Sequence, residues 1–285
     1  MASHPSDPAS GVALDGISIA QLSTISLARL HNKDPAEIAL LNRVCSNAGF
    51  LYLDFRGDSQ AECVLAHLSD VNTVVEKYFG QPKEAKAVDT RLDIKDFQDL
   101  GYKRGPGGES FEISRDEIAS YGASIPKISE LFQHDWAKIS SFIAGCDEAC
   151  LTLLKCLSED SMLHHRADHP SGSGMKFVLY PSMVRLSDVG ENLHTDSGTL
   201  TLLFYKDWSI HAFLPDADRW AFIPPPPEGC TLVNVADTLQ TLSEGKLHSP
   251  KHRVTQPIDG AKNRYFLSYF LRPENEWINK CSSTK

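Results

Sequence analysis

No apolar run in this 285-residue chain approaches the roughly 20 residues that a membrane-spanning helix needs. That excludes a helical membrane protein. Positive charge is in deficit, with 28 Lys and Arg against 37 Asp and Glu and a net charge of −9. Such a balance argues against polyanion partners, nucleic acid above all. Cysteine is sparse: the seven are odd in number and scattered, which suits reduced thiols better than a disulfide framework. Cys146 and Cys150 share one face of an expected helix and read as small core residues. Repeats and low-complexity segments are lacking. The opening Met1–Pro8 has neither the charged nor the apolar region of a signal peptide, and Ser282–Lys285 is not a peroxisomal tripeptide. The expectation is a cytoplasmic protein, without membrane or nucleic-acid partners, of undetermined oligomeric state. Its hydrophobic content of 41% is that of a globular chain.

Against these absences stand two histidines and an aspartate. His194-Thr195-Asp196 lies in a stretch rich in threonine and leucine, and His252-Arg253-Val254 follows much later. Two imidazoles and one carboxylate, with no thiolate, form the ligand set of a mononuclear non-haem Fe(II) oxygenase. In a strand, residues i and i+2 share a face. His194 and Asp196 can therefore hold one ion from one strand, with His252 arriving from a strand packed nearby. Three protein ligands on an octahedral ion leave three positions for oxygen and for a cosubstrate or substrate.

The rest of the chain divides by character. Residues 1–170 read as a helical N-terminal region and 171–285 as a β-rich core. The apolar spacing from Pro35 to Ala48 is helical, with Asp34 as its cap, Pro35 at its first position and Gly49 at its end. Further helices are expected over about 59–79 and 128–158, with a strand at Phe50–Phe55 between the first two. Residues 86–115, rich in glycine, read as loop. His164, His165, Asp168 and His169 read as a solvated connector. Past Ser171 the chain breaks into short apolar strands: Lys176–Tyr180, Leu200–Tyr205, Thr231–Val235 and Tyr265–Leu271.

These residues resemble a known family. Asn192–Leu203, Leu232–Gln240 and Leu242–Val254 are similar to the metal motifs of the isopenicillin N synthase-like branch of the Fe(II)/2-oxoglutarate-dependent dioxygenases. Asn47–Tyr52 and Phe79–Lys86 look like that family's N-terminal signatures. The resemblance implies an α+β, β-rich fold: a double-stranded β-helix (jelly-roll) barrel flanked by N-terminal helices. It implies Fe(II) held by His194, Asp196 and His252, with 2-oxoglutarate as cosubstrate and molecular oxygen as oxidant. It places Arg264 on the cosubstrate's distal carboxylate, assisted by Tyr180. A guanidinium fork suits that task because it pairs with both carboxylate oxygens.

One position departs from the pattern. The family reads Arg-x-Ser, and the position of that serine is Phe266; Ser268, on the same strand face, is the nearest hydroxyl. A hydrogen bond to a charged group contributes roughly 1.5–3 kcal/mol, whereas truncating a desolvated ion pair costs roughly 2–5 kcal/mol or beyond. The change should weaken cosubstrate binding without abolishing it. Arg185 is a candidate contact for an acidic substrate. Tyr102, Arg104, Phe204, Phe266, Tyr269 and Leu271 are pocket candidates by position. Asn234 and Asp237 are expected to build a turn. The expected function is oxidation of a C–H bond in a small organic substrate by hydroxylation, desaturation or cyclisation, in specialised metabolism. Two rivals use the same fold: a 2-oxoglutarate-independent Fe(II) oxidase, and a non-catalytic small-molecule binder.

Overall fold

The computed structural model describes residues 17–93, 99–105, 108–120, 129–158, 160–180, 193–215, 218–255 and 263–283. The chain opens with β1 (Thr24–Ser26), α1 (Leu27–His31), α2 (Pro35–Asn47) and β2 (Phe50–Asp54). As the sequence predicts, the Asp34 side chain accepts from the amides of Ala36 and Glu37, Pro35 occupies the first turn, and Gly49 follows in a left-handed conformation (φ +69°). A side chain at Gly49 would collide with the His248 carbonyl. Next come α3 (Glu62–Phe79), α4 (Lys83–Ala87), β3 (Gly101–Gly105), β4 (Gly108–Ser114), α5 (Arg115–Ser120), α6 (Glu130–His134) and α7 (Trp136–Leu157).

A 3₁₀ turn, Asp160–His164, leads into the second half. Its strands are β5 (Gly174–Tyr180), β6 (Leu200–Phe204), β7 (Ile210–Leu214), β8 (Arg219–Ile223), β9 (Cys230–Val235), β10 (His252–Val254) and β11 (Arg264–Leu271). Two further helices are α8 (Asp237–Leu242) and α9 (Asn275–Ser283).

Eight strands form one sheet, in the order β1-β2-β9-β6-β11-β5-β4-β3; β10, β7 and β8 form a second. One face of the large sheet carries Phe111, Ile113, Phe177, Leu267 and Tyr269 and packs on α3, α6 and α7, burying Val64, Val71, Phe132, Phe142, Cys146 and Cys150. The other face carries Phe50, Tyr52, Leu232 and Phe266 and meets Ile210, Ala212, Ala221 and Ile223 of the small sheet. Two sheets enclosing an apolar interior, with helices outside, make an α+β fold with a jelly-roll core.

The loop expected over 86–115 is corrected in its second part: β3 pairs antiparallel with β4, and β4 lies antiparallel to β5. Gly101 takes φ +74° where a Cβ would meet the Arg91 side chain. At Gly108 a Cβ would run into the Leu179 carbonyl. Gly101 and Gly108 mark close approach of backbones, not absence of structure. Among the described residues no helix is long and apolar enough to cross a membrane.

Candidate metal centre

His194 and Asp196 do not lie in a regular strand. They occupy the turn before β6, fixed by an isolated bridge to β10: the His194 amide donates to the His252 carbonyl (3.0 Å) and the His252 amide returns the bond (2.9 Å). The strand reading of the motif is corrected on this point. A bridge between the two histidines themselves sets the three side chains together. Ligand atoms of His194, Asp196 and His252 all lie within 4.8 Å of one another. Asp196 Oδ1 is 3.6 Å from His194 Nε2 and 3.7 Å from His252 Nε2.

Each side chain is aimed by its neighbours. Asp196 Oδ2 accepts from Thr201 Oγ1 (2.7 Å) and Asn234 Nδ2 (2.9 Å), so Oδ1 is the oxygen turned to the imidazoles. Thr201 and Asn234 face each other across β6 and β9. Asn234 is thus more than the turn builder expected from sequence; its amide touches the carboxylate. Asp237 holds the same turn, with its carboxylate accepting from Thr195 Oγ1 and its amide donating to the Asp196 carbonyl. His252 Nδ1 sits 3.1 Å from the Pro250 carbonyl. A proton on Nδ1 makes that bond and leaves the Nε2 lone pair toward the cluster. The Phe50 ring stands edge-on to His252, with centroids 5.6 Å apart.

The charge states suit a cation. Burial raises the Asp196 carboxyl, yet His252, the two hydrogen bonds and His194 together hold it below the usual carboxylate range. Burial pushes His252 below the ordinary histidine value. An ionised carboxylate and a neutral imidazole are the forms a metal ion requires. His194 is half exposed and forms the open side of the cluster, while Asp196 and His252 are nearly covered. The donor set therefore fits a divalent iron held on one face.

Arg264 is fully buried at the start of β11, in register with Tyr180 on β5. Phe266, two residues on, packs against Tyr180 and Tyr205 with centroid distances of 5.7 and 6.1 Å. Ser268 follows on the same face, buried and in register with Lys176 and Leu203. A buried guanidinium on the barrel's inner face, beside a phenol, suits a carboxylate ligand.

Four pocket candidates lie elsewhere. Tyr269 and Leu271 alternate to the outer face of β11, where the Tyr269 hydroxyl donates to Asp147 on α7. Phe204 faces outward too, against Phe55 and Phe142. Tyr102 packs edge-on to Tyr78 and donates to Glu109 in the same helix-side core. Of the positional candidates only Phe266 belongs to the interior; Arg104 is exposed on β3, and Arg185 lies outside the described residues. Tyr52 and Tyr205 were not singled out in sequence. Both hydroxyls donate to the Pro224 carbonyl and both rings line the barrel. Their inward parity on β2 and after β6 was the available signal.

The connector also needs correction. His165 is 3% exposed; its Nδ1 meets the Ser161 carbonyl (2.7 Å) and its Nε2 the Thr199 hydroxyl (2.7 Å). It braces the turn that carries Asp196.

Jelly roll and ligand set together define a mononuclear non-haem iron oxygenase. Residues 161–273 match the sequence model of the 2OG-Fe(II) oxygenase superfamily. The chain is 31% identical to a 2-oxoglutarate-dependent dioxygenase of Gibberella zeae, over 89% of this chain and 80% of that one. It is 31% identical to the 2-oxoglutarate-dependent dioxygenase frbH of a Dothideomycetidae species, over 92% and 84%. Among solved structures, the dioxygenase for auxin oxidation of rice shares the fold, with a TM-score of 0.68, 22% identity and coverage of 90% and 84%. The chain belongs to the 2OG-Fe(II) oxygenase superfamily, whose members use Fe(II), 2-oxoglutarate and dioxygen. The likeness to relatives named 2-oxoglutarate-dependent dioxygenases favours the cosubstrate-dependent enzyme over the cosubstrate-independent oxidase and the non-catalytic binder.

Proposed function

We propose that this oxygenase oxidises a C–H bond of a small organic molecule by hydroxylation, desaturation or cyclisation, in cytoplasmic specialised metabolism. In this reading His194, Asp196 and His252 hold the iron, and Arg264, with Tyr180 opposite it on β5, receives the distal carboxylate of 2-oxoglutarate; Ser268, four residues further along β11 at about 3.3 Å per residue, is too distant to share it. The second half of the chain supplies the candidate ligands and Arg264; the expected division at residue 170 is not a division of layers, because the first half adds four strands, β1–β4, to the large sheet besides its flanking helices. The observation that carries the reading is the convergence of the three ligand atoms beside a barrel interior containing a buried arginine. Likeness to fungal 2-oxoglutarate-dependent dioxygenases supports the metabolic setting. The net charge of −9 supports a small-molecule partner over nucleic acid.

When bound, iron with 2-oxoglutarate and dioxygen supplies the oxidising power, and the cosubstrate leaves as succinate and carbon dioxide. The protein's share is orientation and exclusion of water. Thr201 and Asn234 fix which carboxylate oxygen of Asp196 is presented. Pro250 fixes the tautomer of His252. Phe50, Tyr52, Tyr205 and Phe266 keep the interior apolar, so Arg264 acts on a carboxylate in a poorly screened setting. Phe266 removes the hydroxyl that would share that carboxylate, leaving Arg264 the main anchor.

The test is the 2-oxoglutarate requirement of Arg264→Ala, read as succinate formed in iron-loaded protein. Truncating a desolvated partner costs roughly 2–5 kcal/mol, so the half-saturating concentration should rise at least about thirtyfold. Arg264→Lys, which keeps the charge without the fork, should fall between. An unchanged requirement in a variant that retains the wild-type circular dichroism would remove Arg264 from this role.

A further inference from the structure

We propose that Glu112 is a specificity-determining residue, its carboxylate accepting a hydrogen bond from a neutral O–H or amide N–H group of the substrate. The proposal rests on the iron and 2-oxoglutarate reading above.

On β4 the side chains of Phe111 and Ile113 belong to the helix-side core, so Glu112 turns to the other face of the sheet. That is the face of Phe50, Thr201 and Asn234 around the metal cluster. Registers across the sheet align Glu112 with Lys176, Lys176 with Ser268, and Ser268 with Leu203. The adjacent row pairs Gly174 with Phe270 and Phe270 with Thr201, the residue that tethers Asp196.

Arg272 joins the two rows. Its guanidinium carbon lies 4.8 Å over the Phe270 ring, and its Nη1 is 2.7 Å from Glu112 Oε1. Its stem runs beside Gly198 in the metal turn, where an added Cβ would stand 3.4 Å from Arg272 Cγ. One wall therefore runs from the metal turn through Arg272 to Glu112.

Glu112 is 3% exposed, and its second oxygen, Oε2, is buried with no hydrogen-bond donor among the described residues. A buried carboxylate oxygen without a donor is costly, and such atoms in a folded protein call for a partner. Lys176 is already committed to Asp99, with Nζ 2.6 Å from Oδ2. The absent donor is one the substrate can bring. Because an ionised carboxylate only accepts, the substrate group must donate. Arg272 already balances the Glu112 charge and Lys176 stands alongside, so a neutral hydroxyl or amide fits better than an ammonium. The Phe270 ring, one row away beneath Arg272, adds apolar surface on the same face for the body behind that donor.

The test uses the full chain loaded anaerobically with Fe(II) and 2-oxoglutarate, with binding of four size-matched probes read by calorimetry. Benzyl alcohol and benzamide carry a neutral donor; toluene and benzoate carry none. The two donors should bind at least about tenfold more tightly than toluene, the scale of one hydrogen bond to a charged acceptor. Glu112→Gln keeps the shape and offers an amide N–H in place of the free oxygen. It should cancel the donor advantage and strengthen benzoate binding, which loss of a mere brace would not do. Equal binding of donors and toluene by the wild type, or an unchanged order in Glu112→Gln, overturns the proposal. If the variant fails to fold, the wild-type order alone decides. Iron content and 2-oxoglutarate affinity are measured on the same wild-type samples. Failure there overturns the underlying reading, whereas a flat probe order in loaded protein overturns only the role of Glu112.

Discussion

Asp196 has two carboxylate oxygens, and the protein uses them differently. Oδ2 takes both hydrogen bonds, from Thr201 and Asn234, while Oδ1 is left to the imidazole side. Removing the Asn234 amide frees the carboxylate to rotate about its last bond. Loss of such supporting partners costs roughly 10–100-fold in metal affinity. Asn234→Ala should therefore release iron to a competing chelator at least about tenfold more readily, at unchanged secondary structure; wild-type retention of iron would show that Thr201 suffices. The three candidate ligands were legible in sequence because their types and local order are the chemistry itself. Asn234 was not, because its contact depends on the pairing of β6 with β9, which local sequence does not display. Tyr269 and Leu271 are a different case. The parity that groups Arg264, Phe266 and Ser268 on one face already sends those two to the other.

At the scale of elements, the helices and the long strands were readable from apolar period and caps, as Asp34, Pro35 and Gly49 show. The β3–β4 pairing was hidden by glycines, of which Gly101 and Gly108 admit neighbouring backbones. The 3₁₀ turn at Asp160–His164 was hidden by polar composition, although it delivers His165 into the interior. There His165 ties the turn to Thr199, just after the metal motif. Burial pushes its pKa down to about 4, from an ordinary 6.5. The unfolded chain binds the proton first, so stability rises with pH between about 4 and 6.5. The contribution is complete above about pH 6.5 and is lost as pH falls toward 4, to a limit of roughly 3 kcal/mol. His211, likewise lowered to about 4 by burial and then by Arg253, adds to the same slope. His165→Gln should therefore show a shallower fall of Tm between pH 6.5 and 4 than the wild type. Parallel curves would mean that His165 is protonated within the folded protein without penalty.

Across the whole molecule, the His194–Asp196–His252 cluster joins the turn before β6 to β10, and thus the large sheet to the small one. The junction does not depend on the metal alone. The two backbone hydrogen bonds between His194 and His252, the Asp237 amide on the Asp196 carbonyl, and Thr238 on the Ser197 carbonyl already hold the turn in place. Most of the interior is closed by apolar contact between the sheets. A site assembled by the fold should survive loss of its ion, unlike small domains whose folding free energy is metal binding itself. Chelation should then leave the circular dichroism spectrum intact and lower Tm only by the linkage amount. An ion at about 100 times its Kd contributes ~2.7 kcal/mol, worth about 5 °C in a chain of this size. Mn(II), a redox-quiet stand-in, should restore that increment to the wild type and not to Asp196→Ala. Unfolding on chelation would instead mean that the metal, rather than the paired strands, holds the two sheets together. An equal Mn(II) response in Asp196→Ala would place the stabilising ion elsewhere.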